Sequence, residues 1–241
     1  MDPGDSHDRP MTTMVEFQIR PENTSVDAWL DEWETRADDA LHGEPETSAY
    51  ASAINLEDAK NVLVFERYVN GDRSLQRHID RPAHATLTET MGERRMTKRR
   101  VMSSRYFDVP DFGWWSRPET VGPTQEGVVI AILGFRFADD HQLATYLELA
   151  VQHAAYCWEN EPDTLIYSAG IAAADADREL DLRKGDLVFV MACSDMTAME
   201  KHSNDPRHVA LGPKLTELGI EPEPKFLRTY RTTGRGFLWR N

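Results

Sequence analysis

The chain has 241 residues, of which 40% are hydrophobic and 28% charged, and 27 Lys and Arg residues against 41 Asp and Glu give a formal net charge of −14. This composition is typical of a globular protein with one large or two small domains. The negative charge argues against a nucleic-acid or anionic-membrane partner, because binding to phosphates needs clustered cations. The longest uncharged stretch, 164–174, is much shorter than the about 20 residues of a membrane-spanning helix.

The only two cysteines are Cys157 and Cys193, both in apolar surroundings. Two cysteines cannot cross-link a chain of this length, so they favour a reducing compartment, and we expect a cytoplasmic protein. Residues 1–13 are acidic and rich in Pro, Gly and Asp, without the basic start and apolar middle of a secretion signal. We predict that they form a disordered leader, or that they precede a start of the protein at Met11 or Met14.

An internal repeat organises the rest of the chain. Three blocks recur in the same order: EPETSAY at 44–50 as EPDTLIY at 161–167, LVFERY at 63–68 as LVFVMA at 187–192, and HIDRPAH at 78–84 as HSNDPRH at 202–208. The first block is offset by 117 residues and the later two by 124, which places seven extra residues in the polar loop around 172–185. Glu66 and Tyr68 of the first copy then correspond to Val190 and Ala192.

Each copy has the predicted order strand, helix, strand, strand, helix, strand. In the first copy these elements are residues 15–20, 25–42 with Ser25 or Asp27 as N-cap, 48–54, 62–69, 74–91 interrupted at Pro82, and 99–109. In the second they are residues 128–137, 139–159, 165–171, 187–193, a helix broken near Pro206, and 225–232. Trp29 and Trp33, four residues apart on the first helix, are expected to contact the sheet.

The order βαββαβ predicts an α+β fold of two tandem ferredoxin-like units that form a pseudo-dimer. We assign residues 14–108 to the first unit, 109–126 to a Pro- and Gly-rich linker, and 127–241 to the second unit. Helices on one face of an antiparallel sheet leave its other face open, so two units can close face to face. We expect the space enclosed in this way to be the pocket.

The segment LVFERY…SL..HIDRPAH resembles the antibiotic-biosynthesis-monooxygenase superfamily of dimeric α/β barrels. The residues that carry the resemblance are Glu66 and Tyr68 on the strand, and His78 and His84 beyond it. The resemblance implies an oxygenase, although some relatives bind or degrade haem and others have no known activity. Because the second copy lacks the Glu and Tyr of this strand, we expect the active cavity to lie in the first half.

The tandem length, the acidic leader and the linker FGWWSRP are similar to a narrower group, the oxygenases that open the B-ring of angucycline polyketides. This resemblance implies a polycyclic phenol or hydroquinone as substrate, O2, and reduced flavin (FADH2 or FMNH2) as a diffusible co-substrate supplied by a flavin reductase, or no cofactor. A homodimer is also compatible with it. Rival interpretations are a cofactor-independent quinol monooxygenase and a non-catalytic or haem-binding barrel with His78 or His202 as axial ligand.

Glu66 and His78 are the predicted catalytic residues. Glu66 shares a strand face with Val62, Val64 and Tyr68, and burial there raises the pKa of a carboxyl enough for it to act as a base. The alternative is a buried ion pair, for example with Arg105. His78 is expected to deprotonate a phenol or to stabilise its oxyanion.

The predicted substrate-binding residues are partly aromatic and partly histidine: Tyr50, Tyr68, His84, Trp114, Trp115, Tyr167 and His202. Tyr50 and Tyr167 occupy equivalent strand positions, where packing is the alternative role. For Trp114 and Trp115 the favoured alternative is to cover the seam between the halves. For His84 a structural role is at least as well supported.

Other motifs point away from metals and nucleotides. His78 and His84 are six residues apart across Pro82, and neither CxxC nor HExxH occurs, so no metal site is predicted. The basic run RRMTKRR at 94–100 could receive a flavin phosphate, or it is a solvated helix end. No P-loop and no GxGxxG motif follows a strand, so a tightly bound nucleotide is not expected.

Overall fold

The computed structural model describes residues 9–118, 126–178 and 180–240. Within the first half these residues form β1 (Met11–Ile19), α1 (Val26–Gly43), β2 (Thr47–Asn55), β3 (Asn61–Tyr68), α2 (Gly71–Ile79), α3 (Pro82–Glu93) and β4 (Thr97–Asp108). Within the second half they form β5 (Val129–Arg136), α4 (Asp140–Asn160), β6 (Thr164–Ala172), β7 (Asp177–Arg178), β8 (Leu187–Cys193), α5 (Met196–Ser203), α6 (Pro206–Val209), α7 (Leu211–Glu217) and β9 (Glu223–Phe237).

The predicted element order is confirmed in both halves, and prolines break the second helix of each half as expected. Ser25 is the N-cap of α1, where its Oγ accepts a hydrogen bond from the amide of Ala28 at 3.0 Å. Asp139 caps α4 in the same way. β1 begins at Met11, inside the range assigned to the leader, because residues 11–13 pair with β3 and β4. Residues 1–8 of that leader lie outside the described residues.

Eight antiparallel strands close into a barrel. Their order around the ring is β1-β3-β2-β9-β5-β8-β6-β4, and β4 pairs back with β1, while the short β7 adds to β4. Each half supplies four neighbouring strands in equivalent order, β4-β1-β3-β2 and β9-β5-β8-β6. The halves join where β2 pairs with β9 and where β4 pairs with β6. The protein is therefore a mixed α+β fold built on an eight-stranded antiparallel barrel.

Side chains fill the interior of this barrel, so the expectation of a pocket between the two sheets is wrong. Successive residues of a strand point to opposite faces, and on β3 Leu63 and Phe65 join the barrel core, whereas Val62 and Val64 pack with α1. Large residues from both halves complete the inner core, among them Met14, Met102, Tyr106, Ile130, Val190 and Tyr230, all at most 1% exposed. The space for a ligand lies instead between the sheet and the helices that cover it.

The strand pairing corrects one equivalence drawn from the repeat. Tyr50 pairs with Glu66 in the first half, and its counterpart Tyr167 pairs with Met191 in the second. The structural counterpart of Glu66 is therefore Met191, not Val190, and that of Tyr68 is Cys193, not Ala192. A shift of one residue along a strand moves a side chain to the other face, and Val190 indeed faces the barrel core.

Candidate active site

A cavity of about 380 Å³ lies in the second half, between the outer face of its sheet and helices α4 to α7. Its walls are mainly aliphatic and aromatic, and the side chains that carry polar atoms are those of Tyr146, Tyr167, His202, Ser203, His208 and Thr229. We call the part lined by His202, Ser203 and His208 its polar end. Leu227, which is 59% exposed, lies at its rim. An apolar cleft with a few polar groups at one end is the usual form of a small-molecule site.

One difference between the halves explains why this cavity lies in the second. Ala150 of α4 lines it, and the residue 117 positions earlier is Trp33 of α1. Trp33 is 1% exposed, packs at 4.9 Å on the ring of Tyr50, and donates its Nε1–H to the hydroxyl of Tyr50 at 3.1 Å. The indole therefore occupies the equivalent space in the first half. The expectation that the active cavity lies in the first half stays a prediction, because a smaller cavity there, of about 190 Å³, is lined by Glu44 and His78.

His202 is held at the polar end of the cavity by a buried carboxylate. Its Nδ1 lies 2.7 Å from Oε2 of Glu161, and that oxygen also accepts a hydrogen bond from Thr164 Oγ1 at 3.0 Å. Burial opposes ionisation of Glu161, but the hydrogen bonds from His202 and Thr164 outweigh it and lower the pKa of this carboxyl. A carboxylate on Nδ1 orients the imidazole and leaves Nε2 for a ligand.

Two further histidines surround His202. His153 of α4 and His208 of α6 approach each other, with 3.3 Å between His153 Nε2 and His208 Nδ1. Burial lowers the pKa of His153, and it lowers that of His208 to about 4, with further lowering from His202. The Sγ of Cys157 lies 3.5 Å from His153 Nε2. Burial raises the pKa of this thiol, so it stays protonated near neutral pH.

The first half repeats the carboxylate–histidine pair. Nδ1 of His78 lies 2.8 Å from Oε2 of Glu44, and Thr47 Oγ1 donates to the same oxygen at 2.7 Å. Arg36 adds a guanidinium, with Nη2 2.5 Å from Glu44 Oε1. Although burial opposes it, hydrogen bonds from His78, Thr47 and Arg36 lower the pKa of Glu44 to about 2. The two glutamates were missed as site residues, although both stand in the repeated blocks EPET and EPDT.

Glu66 lies in the same buried cluster as His78. The Tyr68 hydroxyl donates to Glu66 Oε2 at 2.8 Å, and burial raises the pKa of Glu66 although His78 and Tyr68 oppose this. The alternative partner Arg105 pairs with Asp72 instead. His78 is 1% exposed, and its Nε2 is buried without a hydrogen-bond partner among the described residues. Glu66, Tyr68 and His78 therefore lie together, and His78 also borders the smaller cavity of this half.

The remaining predicted residues lie in the cavity of the second half, around His78 in the first half, and at the junction between the halves. Tyr167 and His202 line the cavity, whereas Tyr50 and His84 flank His78 in the first half at ring distances of 4.9 and 5.5 Å. His153 was not predicted as a site residue. Its only signal in the sequence is that it stands four residues before Cys157 on the same helix.

Trp114 and Trp115 point to opposite sides of the junction between the halves. Trp114 forms an isolated bridge with Tyr167 and stacks on it at 5.5 Å. Trp115 packs against the barrel core, beneath the guanidinium of Arg67 at 3.7 Å. Both indoles therefore contact the protein along the seam. Arg94, in the basic run, pairs with Glu32 at the surface.

None of the helices formed by the described residues is both long and apolar enough to cross a membrane.

Comparisons with known proteins support the architecture. No family model matches the chain, and no curated protein matches it either. The crystal structure of a proposed monooxygenase from Lactobacillus acidophilus NCFM is similar with a TM-score of 0.68, at 12% identity over 97% of this chain and 100% of that one. A proposed monooxygenase from Fusobacterium nucleatum subsp. nucleatum has a TM-score of 0.69, at 10% identity over 94% of this chain and 93% of that one.

The structure of an anthrone oxidase-like protein is also similar, with a TM-score of 0.59 and 13% identity over 95% of this chain and 93% of that one. These likenesses extend over nearly the whole length of both partners, so they include both halves of the barrel. At such low identity they show the class of fold, a tandem α/β barrel found among proteins named as monooxygenases, and the site's chemistry has to be argued from its own residues.

Proposed function

We propose that the protein is an oxygenase that oxidises a planar phenol or hydroquinone with O2 in the cavity of the second half. The observation that carries the proposal is the apolar cavity of about 380 Å³ with His202, oriented by Glu161, at its polar end. This volume lies in the lower part of the range of about 300–1,000 Å³ for small-molecule sites. The names of the structural neighbours, proposed monooxygenases and an anthrone oxidase-like protein, support the same class of reaction.

The chemistry follows from the placement of the imidazole. With its Nδ1–H donated to Glu161, His202 presents Nε2 as the acceptor for the hydroxyl proton of a bound phenol. The phenolate gives up electrons to O2 more readily than the phenol. One oxygen atom then bonds to a ring carbon and the other leaves as water, so that a phenol plus O2 yields a quinone plus water. The aromatic and aliphatic walls hold the ring flat and exclude water.

A bound flavin does not fit this cavity. A flavin nucleotide carries phosphate groups, and the side chains that line the cavity among the described residues include neither Lys nor Arg. The proposed reaction therefore involves no bound flavin, and the assay includes reduced flavin as a separate condition. The balanced reaction above needs only the substrate and O2.

The substrate that we propose is a polycyclic aromatic polyketide. The resemblance to the angucycline ring-opening oxygenases favours a polycyclic polyketide phenol, with cleavage of a carbon–carbon bond as a second outcome of the same oxygenation. Mass spectrometry separates the outcomes, because conversion of a phenol to a quinone adds one oxygen and removes two hydrogens, whereas ring opening retains both oxygen atoms.

The test is O2 consumption with tricyclic and tetracyclic phenols and hydroquinones, with and without FAD and a flavin reductase. We expect uptake above the enzyme-free control without flavin. Ala150→Trp, which places an indole where the first half carries Trp33, should abolish uptake. Val151→Trp is the matched control, because Val151 is on the same helix and 45% exposed. Equal rates in wild type and Ala150→Trp would contradict the proposed site, and no uptake with any aromatic would contradict the proposed reaction.

The catalytic assignment to Glu66 and His78 stays a prediction, and the same assay tests it. Glu66→Gln and His78→Ala should abolish turnover with unchanged circular dichroism if the first half is the reaction site. If the cavity is the reaction site, His202→Ala should lower kcat most strongly. The comparison of these three variants therefore identifies the half in which the reaction occurs.

A further inference from the structure

Three histidines from three helices converge at the polar end of the cavity. His153 comes from α4, His202 from α5 and His208 from α6, and one ring nitrogen of each lies within 4.8 Å of the other two. Two of them, His202 and His208, line the cavity. His153 and His202 are 4% and 3% exposed. A hydrophobic core does not require three imidazoles in one place, because each brings polar nitrogens that need partners.

The spacing of these rings matches that around a metal ion. Tetrahedral ligands with metal–nitrogen bonds of 2.0–2.1 Å stand about 3.4 Å apart, and His153 Nε2 lies 3.3 Å from His208 Nδ1. The ring centroids are separated by 4.6 Å between His202 and His208, 5.3 Å between His153 and His208, and 5.5 Å between His153 and His202. The third ring has a nitrogen within 4.8 Å of the other two, so it would approach them by up to about 1.4 Å to complete the set.

In the first half an arginine stands where the second half has its third histidine. His78 and His84 are the counterparts of His202 and His208, but the position of His153 holds Arg36. The guanidinium of Arg36 lies 2.7 Å from His78 Nδ1, where its charge would repel a cation. The second half has an imidazole in its place, and only there do the described residues gather three histidines. At this position the two halves therefore differ by a cationic side chain, Arg36, against a side chain that can bind a metal ion, His153.

The surroundings prepare the imidazoles for coordination. The carboxylate of Glu161 accepts a hydrogen bond from Nδ1 of His202, an arrangement that is common for metal-binding histidines. Nε2 of His202 is then the atom that can bind a metal. Three imidazoles leave coordination positions open toward the cavity, as in catalytic rather than structural metal sites.

We propose that His153, His202 and His208 bind one divalent first-row transition-metal ion at the polar end of the cavity. Neutral imidazole ligands suit Zn2+, Fe2+, Cu2+ and Ni2+. The inference does not rest on the proposed reaction. A bound ion would take the Nε2 lone pair that His202 otherwise offers as a base, so in the metal-loaded protein the positive charge of the ion, and not His202, would favour ionisation of a phenol hydroxyl.

The test uses the full chain without a histidine tag, stripped with a chelator and equilibrated with Zn2+ or Co2+. Metal content after dialysis is measured by mass spectrometry, and the visible absorption of Co2+ reports its coordination. Thermal unfolding with and without Zn2+ gives a second readout, because a ligand of the folded state raises the Tm. No substrate is present, so failure here is separate from failure of the proposed reaction.

Two substitutions and one matched control decide the outcome. His153→Arg recreates the first-half arrangement, and His208→Ala removes a ligand at a partly exposed position, where folding is expected to survive. His84→Ala removes the first-half counterpart of His208. We expect about one Zn2+ per chain in wild type and in His84→Ala, and binding weakened by more than about tenfold in the other two variants. Dialysis that empties the wild type, or a His208→Ala variant that binds as the wild type does, would overturn the site.

Discussion

Replacing Trp33 by alanine should open, in the first half, a counterpart of the second-half cavity. Trp33 is 1% exposed and lies where the second half has Ala150. Removing a buried Trp side chain costs about 3–5 kcal/mol, and the Tyr50 hydroxyl also loses its hydrogen bond from Trp33 Nε1. We therefore expect a loss of about 4 kcal/mol in the free energy of unfolding. For a chain of this size that lowers the Tm by roughly 8–16 °C.

Urea unfolding followed by circular dichroism measures the loss, and Trp33→Phe, which keeps a ring but lacks the indole N–H, should lose less. Indole added to Trp33→Ala should restore part of the Tm, since an apolar cavity binds a matching aromatic. The control is Trp158→Ala, because Trp158 is 40% exposed and contributes less. A loss below about 1.5 kcal/mol, or indole acting equally on wild type and variant, would refute the interpretation that Trp33 alone closes this space.

Three other predictions concern stability. Burial raises the pKa of Glu66, so its contribution to stability is complete below the pKa of an unfolded glutamate and is lost as the pH rises through the folded pKa. Glu66→Gln should therefore gain stability over wild type in urea titrations as pH increases from about 4 to 8, and a constant difference would be evidence against a buried carboxyl. Arg117 is 8% exposed and donates to three backbone carbonyls at the end of α4 and to that of Thr164 at the start of β6. Arg117→Lys should therefore cost about 3 kcal/mol, and an unchanged urea midpoint would contradict this. Gly113 has a φ of 62°, and a Cβ there would lie too close to the carbonyl oxygen of Tyr167, so Gly113→Ala should lower the Tm by more than about 4 °C; calorimetry showing no change would contradict this.

The repeat made the halves of the fold predictable. Recurring strand and helix patterns identified two βαββαβ units, the N-cap Ser25, and the breaks at Pro82 and Pro206, because these depend on neighbouring residues. The two-residue period of the strand also placed Glu66 and Tyr68 on one face, where the Tyr68 hydroxyl donates to Glu66.

The register between the copies and the location of the cavity needed the tertiary structure. Sequence identity aligned Glu66 with Val190, but strand pairing aligns it with Met191, and one residue reverses the face of a strand. Whether a space is open depends on volumes contributed by several elements, and one difference between the halves is that buried Trp33 stands where Ala150 lines the cavity.

Part of the histidine cluster is visible in the sequence, and part of it depends on the tertiary structure. The recurrence of His78 and His84 as His202 and His208 could be read along the chain, because both pairs stand in matching blocks. The third imidazole, His153, lies about fifty residues from both and joins them only when α4 packs over α5 and α6. Local sequence determined the elements and their repeat, whereas the site depends on contacts between distant elements, which local patterns do not encode.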